Sequence, residues 1–303
     1  MKSLIKILIV MMLASTPALA DKHAVPATEA DAAKTLKWVG CGISKKAYMH
    51  ELAAGYEKKT GIKIEIKGGG ATKGIREVAK NNADLGGACR YKIPGSPKEA
   101  RAILEPVAWD ALVVIVNKKN TVQDITLDQI RGMYLGKITN WKQLGGEDAP
   151  IRLIARKGKI SGVGRAIRKL VFANYDQEFK ATEYVKSSGP LEKAVEKDIN
   201  AIGISGISSA RKRNVRSLKL DGKEPSFENI KSGQYMLYRP LYLVISPEGR
   251  QKKEVADFLA YAHSPEGKEI IRKNGTVPYL DALRLVMKQV EQEERAAEQG
   301  LYR

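Results

Sequence analysis

The sequence predicts an α/β fold, a mainly parallel sheet covered by helices, and two observations predict it. Apolar runs of strand length alternate with amphipathic stretches of helix length from Thr35 to Lys273. Three glycine-bearing turns each follow a strand-like run and lead toward a helix: Val39-Gly40-Cys41-Gly42-Ile43-Ser44, Ile66-Lys67-Gly68-Gly69-Gly70-Ala71-Thr72 and Leu85-Gly86-Gly87-Ala88-Cys89-Arg90. Such a turn bares backbone N–H groups beside the positive end of a helix dipole. Several side by side make an anion pocket.

The elements follow in order. Residues 1–20 read as an export signal, with Lys2 and Lys6 as a basic start, an apolar run over 4–14 and Ala18-Leu19-Ala20 as an A-x-A cleavage site. The run is too short to span a membrane, so the mature chain is expected to begin near Asp21. Residues 21–33 are a polar, alanine-rich leader. Residues 35–39 read as a strand and 44–59 as a helix, with Ser44 as N-cap and Met49, Leu52, Ala53 and Tyr56 on one face. Gly61 ends that helix. Next come a strand over 62–66, a helix over 71–80, a short buried strand over 83–87, a short helix within 94–104, and a long apolar strand over 107–116 interrupted only by Asp110.

The second half continues the rhythm. Helices are predicted over 127–134 (capped by Thr126), 161–172 (capped by Ser161) and 191–197, and strands over 151–155 and 201–204. Residues 205–229 are loop-rich and basic. A strand over 241–245 follows Arg239-Pro240, and helices over 252–262 and 266–273 follow it. From Asp281 the chain reads as a charged amphipathic helix carrying Leu285, Val286 and Val290, either an exposed tail or a partner-binding helix. No internal repeat is visible.

Of the 303 residues, those beyond the signal are enough for two domains, and an apolar fraction of 43% is enough to build a core. The net charge is +18, or +16 once Lys2 and Lys6 are removed with the signal. That surplus attracts anions. Nucleic acid is not an expected partner, because the basic residues are spread along the chain, aromatics are only 6%, and no nucleic-acid motif is present. No Gly-x-Ser-x-Gly, His-Glu-x-x-His or P-loop pattern occurs, and His23, His50 and His263 lack metal-ligand spacing. The chain is therefore expected to be neither an enzyme nor a holder of cofactor or metal.

Cys41 and Cys89 stand in two of the three glycine turns. In an exported protein two cysteines suggest one disulfide. A pair of inert or reactive thiols and a soft-metal or covalent ligand site are the other two roles this placement fits.

A series of motifs then points to a family. Tyr56-Glu57-Lys58-Lys59-Thr60-Gly61-Ile62-Lys63-Ile64 leads to Lys67-Gly68-Gly69-Gly70-Ala71-Thr72-Lys73-Gly74-Ile75 and to Ala83-Asp84-Leu85-Gly86-Gly87-Ala88-Cys89-Arg90. Val113-Val114-Ile115-Val116-Asn117, Leu135-Gly136-Lys137-Ile138-Thr139-Asn140-Trp141, Asn229-Ile230-Lys231-Ser232-Gly233, Arg239-Pro240-Leu241-Tyr242, Ser264-Pro265-Glu266-Gly267 and Asn274-Gly275-Thr276-Val277-Pro278 follow in the same order. Over roughly residues 35–280 the chain resembles the PstS-type phosphate-binding proteins, periplasmic receptors of ABC transporters. The resemblance implies a type II periplasmic-binding-protein fold, two α/β lobes with a ligand cleft between them. It implies lobe 1 from residues 34–114 plus 239–280, lobe 2 from 115–238, and a C-terminal helical tail over 281–303. It further implies a monomer in the periplasm that closes on phosphate or another small oxyanion and docks on an ABC permease of the inner membrane.

The ligand-binding positions that follow are Gly40, Cys41, Gly42, Gly70, Ala71, Thr72, Cys89, Arg90 and Asp110 in lobe 1, and Arg156, Ser161 and Gly162 in lobe 2. The resemblance assigns Asp110 the acceptance of a proton from the ligand; a buried aspartate tied to a backbone N–H is the plainer role. The chain departs from the family where hydroxyls would be wanted. Cys41 and Gly42 replace hydroxyl residues in the first turn, Cys89 replaces the serine before Arg90, and Ile160 and Val163 interrupt the loop after Arg156. Losing three donors would weaken phosphate by about 3–6 kcal/mol if nothing replaced them. Arg90 and Arg156 are the expected substitutes, because a guanidinium fork matches an oxyanion. A second expectation is a non-transport adaptor with an altered cleft, using Arg211-Lys212-Arg213 and the C-terminal helix as contacts.

Overall fold

The computed structural model describes residues 35–298. The export signal expected over 1–20 lies outside them. The strands are β1 (Thr35–Gly40), β2 (Lys63–Gly68), β3 (Leu85–Ala88), β4 (Ile103–Asn117), β5 (Asp124–Ile125), β6 (Arg152–Arg156), β7 (Glu183–Val185), β8 (Ala201–Gly206), β9 (Val215–Ser217), β10 (Lys219–Leu220), β11 (Tyr238–Ile245) and β12 (Val277–Pro278). The helices are α1 (Gly42–Ser44), α2 (His50–Thr60), α3 (Ala71–Ala79), α4 (Leu127–Tyr134), α5 (Gly162–Phe172), α6 (Ser188–Lys197), α7 (Ile207–Ala210), α8 (Phe227–Ser232), α9 (Pro247–Gln251), α10 (Lys253–His263), α11 (Pro265–Lys273) and α12 (Arg284–Glu298). A π-turn over Lys45–Met49 joins α1 to α2.

Two α/β lobes share β4. Residues 103–111 of that strand pair with β11, whose other neighbour is β3, and the order continues through β1 to β2. Residues 112–116 pair with β8, and the sheet continues through β6 to β7. The sheet is mixed rather than mainly parallel. β1, β2 and β3 run parallel, as do β6, β7 and β8. β4 and β11 run antiparallel to each other, and each is also antiparallel to its other neighbour in the sheet order, β8 and β3.

Most predicted elements are present, with three corrections. The first helical run begins two residues early, and its N-cap is Cys41 rather than Ser44. Residues 94–101 form successive turns instead of a short helix. Pro94-Gly95 breaks the run, and Gly95 takes the left-handed conformation at φ +70°. The stretch from Asp281 is docked, not a free tail: Leu285 is fully buried, Lys288 Nζ donates to Ser232 O at 2.9 Å, and Gln289 Nε2 donates to Tyr238 O at 3.2 Å.

Candidate functional site

The three glycine turns leave the same end of one sheet. β1 lies between β2 and β3, and Gly40 is in register with both Gly68 and Gly87. The turns therefore sit side by side, as an anion pocket requires. Their glycines serve packing as well. Trp38 is fully buried and lays its ring across Gly40 and Gly87, so that a Cβ at either would collide with the indole. Gly40 is thus a floor for Trp38 and does not itself line the cavity between the lobes. Gly70 sits at φ +84°, which favours glycine, and starts α3 with open space around it.

Cys41 closes the first helix start with its own sulfur. Its Sγ accepts from Ser44 N at 3.3 Å and lies 3.1 Å from Ser44 Oγ, which also donates to Ala88 O at 3.2 Å. Ser161 does the same for α5, its Oγ accepting from Gly164 N at 3.2 Å. By contrast, no side chain caps α3 after Gly70 or α6 after Ser187. Both uncapped starts border one cavity of ≈ 440 Å³ between the lobes. Lys46, Arg156, Lys186 and Arg213 line it, and no carboxylate among the described residues does.

Arg156, at the end of β6, is the most telling of these cations. It is only 6% exposed and has no carboxylate partner among the described residues. Its Nη1 donates to Ser188 Oγ at 2.9 Å and its Nη2 to Lys186 O at 2.7 Å, while Nε has no partner. Burial pushes its pKa down. A buried guanidinium without a carboxylate partner is costly unless some other anionic group meets it. Lys46 and Arg213 share one buried carboxylate, Glu192, at 3.3 and 3.2 Å, which leaves that wall net positive.

The two cysteines meet in the cavity wall. Both are free and buried, so the expected disulfide is not formed in this structure. Each acts on the other's titration. Burial pushes the Cys41 thiol up. The neighbouring Cys41 thiol brings Cys89 down to about 6 against the effect of burial, with Arg239 and Arg156 adding to the fall.

Lobe meets lobe at Cys89 and Gly162. A Cβ at Gly162 would run into the Cys89 sulfur and stand 3.2 Å from Ala71 Cβ. Ile160 O, from the second lobe, accepts from Thr72 Oγ1 at 3.0 Å and from Arg90 Nε at 2.9 Å. Arg90 is not a free fork. Its two terminal nitrogens hold Glu99 at 2.9 and 2.8 Å. Burial works against the Glu99 charge, but Arg90 and the Ile93 N–H outweigh it and hold the carboxyl below its usual range.

Asp110 likewise does not line the cavity. It is paired in register with Arg239 across β4 and β11, its Oδ2 lies 3.5 Å from Arg239 Nη2, and its Oδ1 accepts from Ser208 N at 3.2 Å. Burial raises its pKa, opposed by Arg239 and Ser208. Of the expected positions, the cavity thus gathers Cys41, Gly42, Gly70, Ala71, Cys89, Arg156 and Gly162. Gly40, Thr72, Arg90, Asp110 and Ser161 support it from behind or across the seam. The sequence reading missed the α6 start. Ser187-Ser188-Gly189-Pro190, with a cap residue before a proline in the first turn, was the available signal. Arg211, Lys212 and Arg213 have internal partners in Gly275, Glu51 and Glu192.

Two lobes sharing long antiparallel strands, with a basic cavity at converging helix starts, define a solute-binding protein of type II architecture. A family model, the PBP superfamily domain, matches residues 25–266, and the chain belongs to that family. Within it the chain is PstS-like. It is 27% identical over 227 residues to the phosphate-binding protein PstS of Bacillus subtilis, covering 74% of each chain. A phosphate ABC transporter substrate-binding protein of Clostridium perfringens, solved with bound phosphate, superposes with a TM-score of 0.74 at 30% identity, over 81% of this chain and 99% of that one. An ABC-type phosphate transport receptor of Vibrio cholerae gives 0.61 at 26%, over 80% and 99%.

Proposed function

We propose that this chain is an exported receptor that closes two lobes on phosphate or a related oxyanion and delivers it to an ABC-type permease. The observation that carries this reading is Arg156, a buried cation with an unpartnered Nε, in a cavity bordered by two uncapped helix starts and no carboxylate. The names of the relatives above support phosphate as the ligand class. Lobe 1 is assigned to 34–114 plus 239–280 and lobe 2 to 115–238. The protein acts as a monomer in the periplasm after loss of residues 1–20, and among the described residues no helix is long and apolar enough to cross a membrane. It binds and releases its ligand unchanged, and no catalytic step is assigned to it.

Titration calorimetry with phosphate tests this. Phosphate is expected to bind, and Arg156→Ala to weaken it by roughly one hundredfold, the worth of one strong or two ordinary charge-assisted hydrogen bonds. If phosphate, arsenate and sulfate all fail to bind, the receptor reading is wrong. The direct contact of Cys89 with Gly162 favours the adaptor as the second reading, and failure of all three anions would select it.

A further inference from the structure

A second chamber lies on the other side of the Cys89 contact, and of the residues lining the anion cavity it shares only Cys89. It encloses ≈ 300 Å³ and is built by both lobes and by α12. Aromatic rings and cations stand out in its lining, beside Leu170, Pro94 and Pro240. Tyr91, Tyr175 and Tyr242 supply aromatic faces, and Lys92, Arg165 and Arg239 are among the cations that line it; no carboxylate among the described residues does.

The aromatic groups are partly exposed yet arranged. Tyr91 is 56% exposed and Tyr175 36%, large values for rings in a concave wall. The Tyr91 and Tyr242 rings meet edge to face at 5.8 Å. Arg165 Cζ stands 3.8 Å over the Tyr175 ring, within cation–π range. Lys92 Nζ is held by two carbonyls, Ala100 O and Ala102 O, each at 3.2 Å. Neither Lys92 nor Arg165 has a carboxylate partner among the described residues. Behind them Arg239 is only 4% exposed, and its Nε has no hydrogen-bond partner.

We infer that this chamber is a second binding site, for a small planar aromatic carboxylate. The ring would lie among the tyrosines, where flat faces and edges match its own. The carboxylate would meet the cations, where a delocalised fork suits a planar two-oxygen anion. An inorganic oxyanion would leave the tyrosines unused, and a neutral ring would leave the cations unanswered. A site of this composition, mostly apolar wall with a few convergent polar groups, is the usual form of a small-molecule pocket. Because residues 89–94 come from one lobe and 165–175 from the other, the occupant would touch both.

The test is calorimetry and saturation-transfer NMR on the purified full chain, with benzoate as the probe. Cyclohexanecarboxylate keeps the charge without the flat ring, and benzyl alcohol keeps the ring without the charge. Benzoate is expected to bind more tightly than either. Tyr91→Ala and Arg165→Gln are each expected to weaken it roughly tenfold, while each variant keeps the wild-type melting temperature and wild-type affinity for inorganic phosphate. Tyr175→Leu is the substitute should either variant melt early. Three results would overturn the inference: benzoate binding no better than the two controls, unchanged benzoate affinity in the folded variants, or complete displacement of benzoate by saturating phosphate. The last would put the ring in the anion cavity instead.

Discussion

Cys89 sets the chemistry of the anion cavity. As a thiolate it is itself an anion near Arg239 and beside Arg156, the charge an oxyanion in this cavity would seek. As a thiol it is a weak donor. Its titration lies near 6 in the folded chain against an ordinary 9.0, so the thiolate stabilises the fold fully above pH 9, and that contribution is lost as the pH falls toward 6. For binding, the sign is the reverse. Sulfate, whose own charge is constant in this range, is expected to bind progressively less tightly as the pH rises through 6, by up to about tenfold per unit. Cys89→Ser should flatten that profile and strengthen binding at neutral pH, as calorimetry across the range would show; a wild-type profile that is already flat would refute the thiolate. The cysteines themselves were plain in the sequence. Their mutual contact was not, because Cys41 and Cys89 are brought together by the register of β1 with β3. Arg90 illustrates the same limit. Its type suggested a ligand fork, but Glu99, on the far side of the Pro94-Gly95 turn, takes both of its terminal nitrogens.

Gly162 shows how much one helix start controls. It opens α5 at the point where the two lobes touch, and its missing side chain is filled by the Cys89 sulfur. Gly162→Val should hold the lobes apart. Small-angle scattering is expected to report a larger radius of gyration, and phosphate affinity should fall. An unchanged radius would mean that the seam yields elsewhere. Periodicity was a sound guide to the elements around this seam. It found β4, α4 with its Thr126 cap and α5 with its Ser161 cap, because apolar spacing and capping are local signals. It did not show that β4 and β11 are antiparallel neighbours, since strand direction depends on what the chain does between them. It also read 94–104 as partly helical, where a left-handed glycine enforces turns.

The whole molecule carries a net charge of +18, and its central cavity is lined by four cations and no carboxylate. Long-range attraction should therefore speed the approach of an anion. Stopped-flow association of phosphate is expected to slow several-fold between low and physiological ionic strength, with dissociation changing less; equal salt effects on both steps would count against steering. Two-lobe architecture was legible only through the ordered series of family motifs. Alternation of strands and helices permits many α/β topologies, and none of its local signals marks where a chain crosses from one lobe to the other.

The carbonyl of Ile160 takes hydrogen bonds from Thr72 and Arg90 of the opposite lobe, and neither bond involves a ligand. Both bonds therefore favour the shut form of a loaded and of an empty molecule alike, and add nothing to the difference between them. A transporter that senses only shape would meet decoys, shut molecules with no cargo. On the receptor reading proposed above, discrimination would then rest on the cavity's own contacts, and the strength of this latch would set a background of futile docking against which each delivery is read.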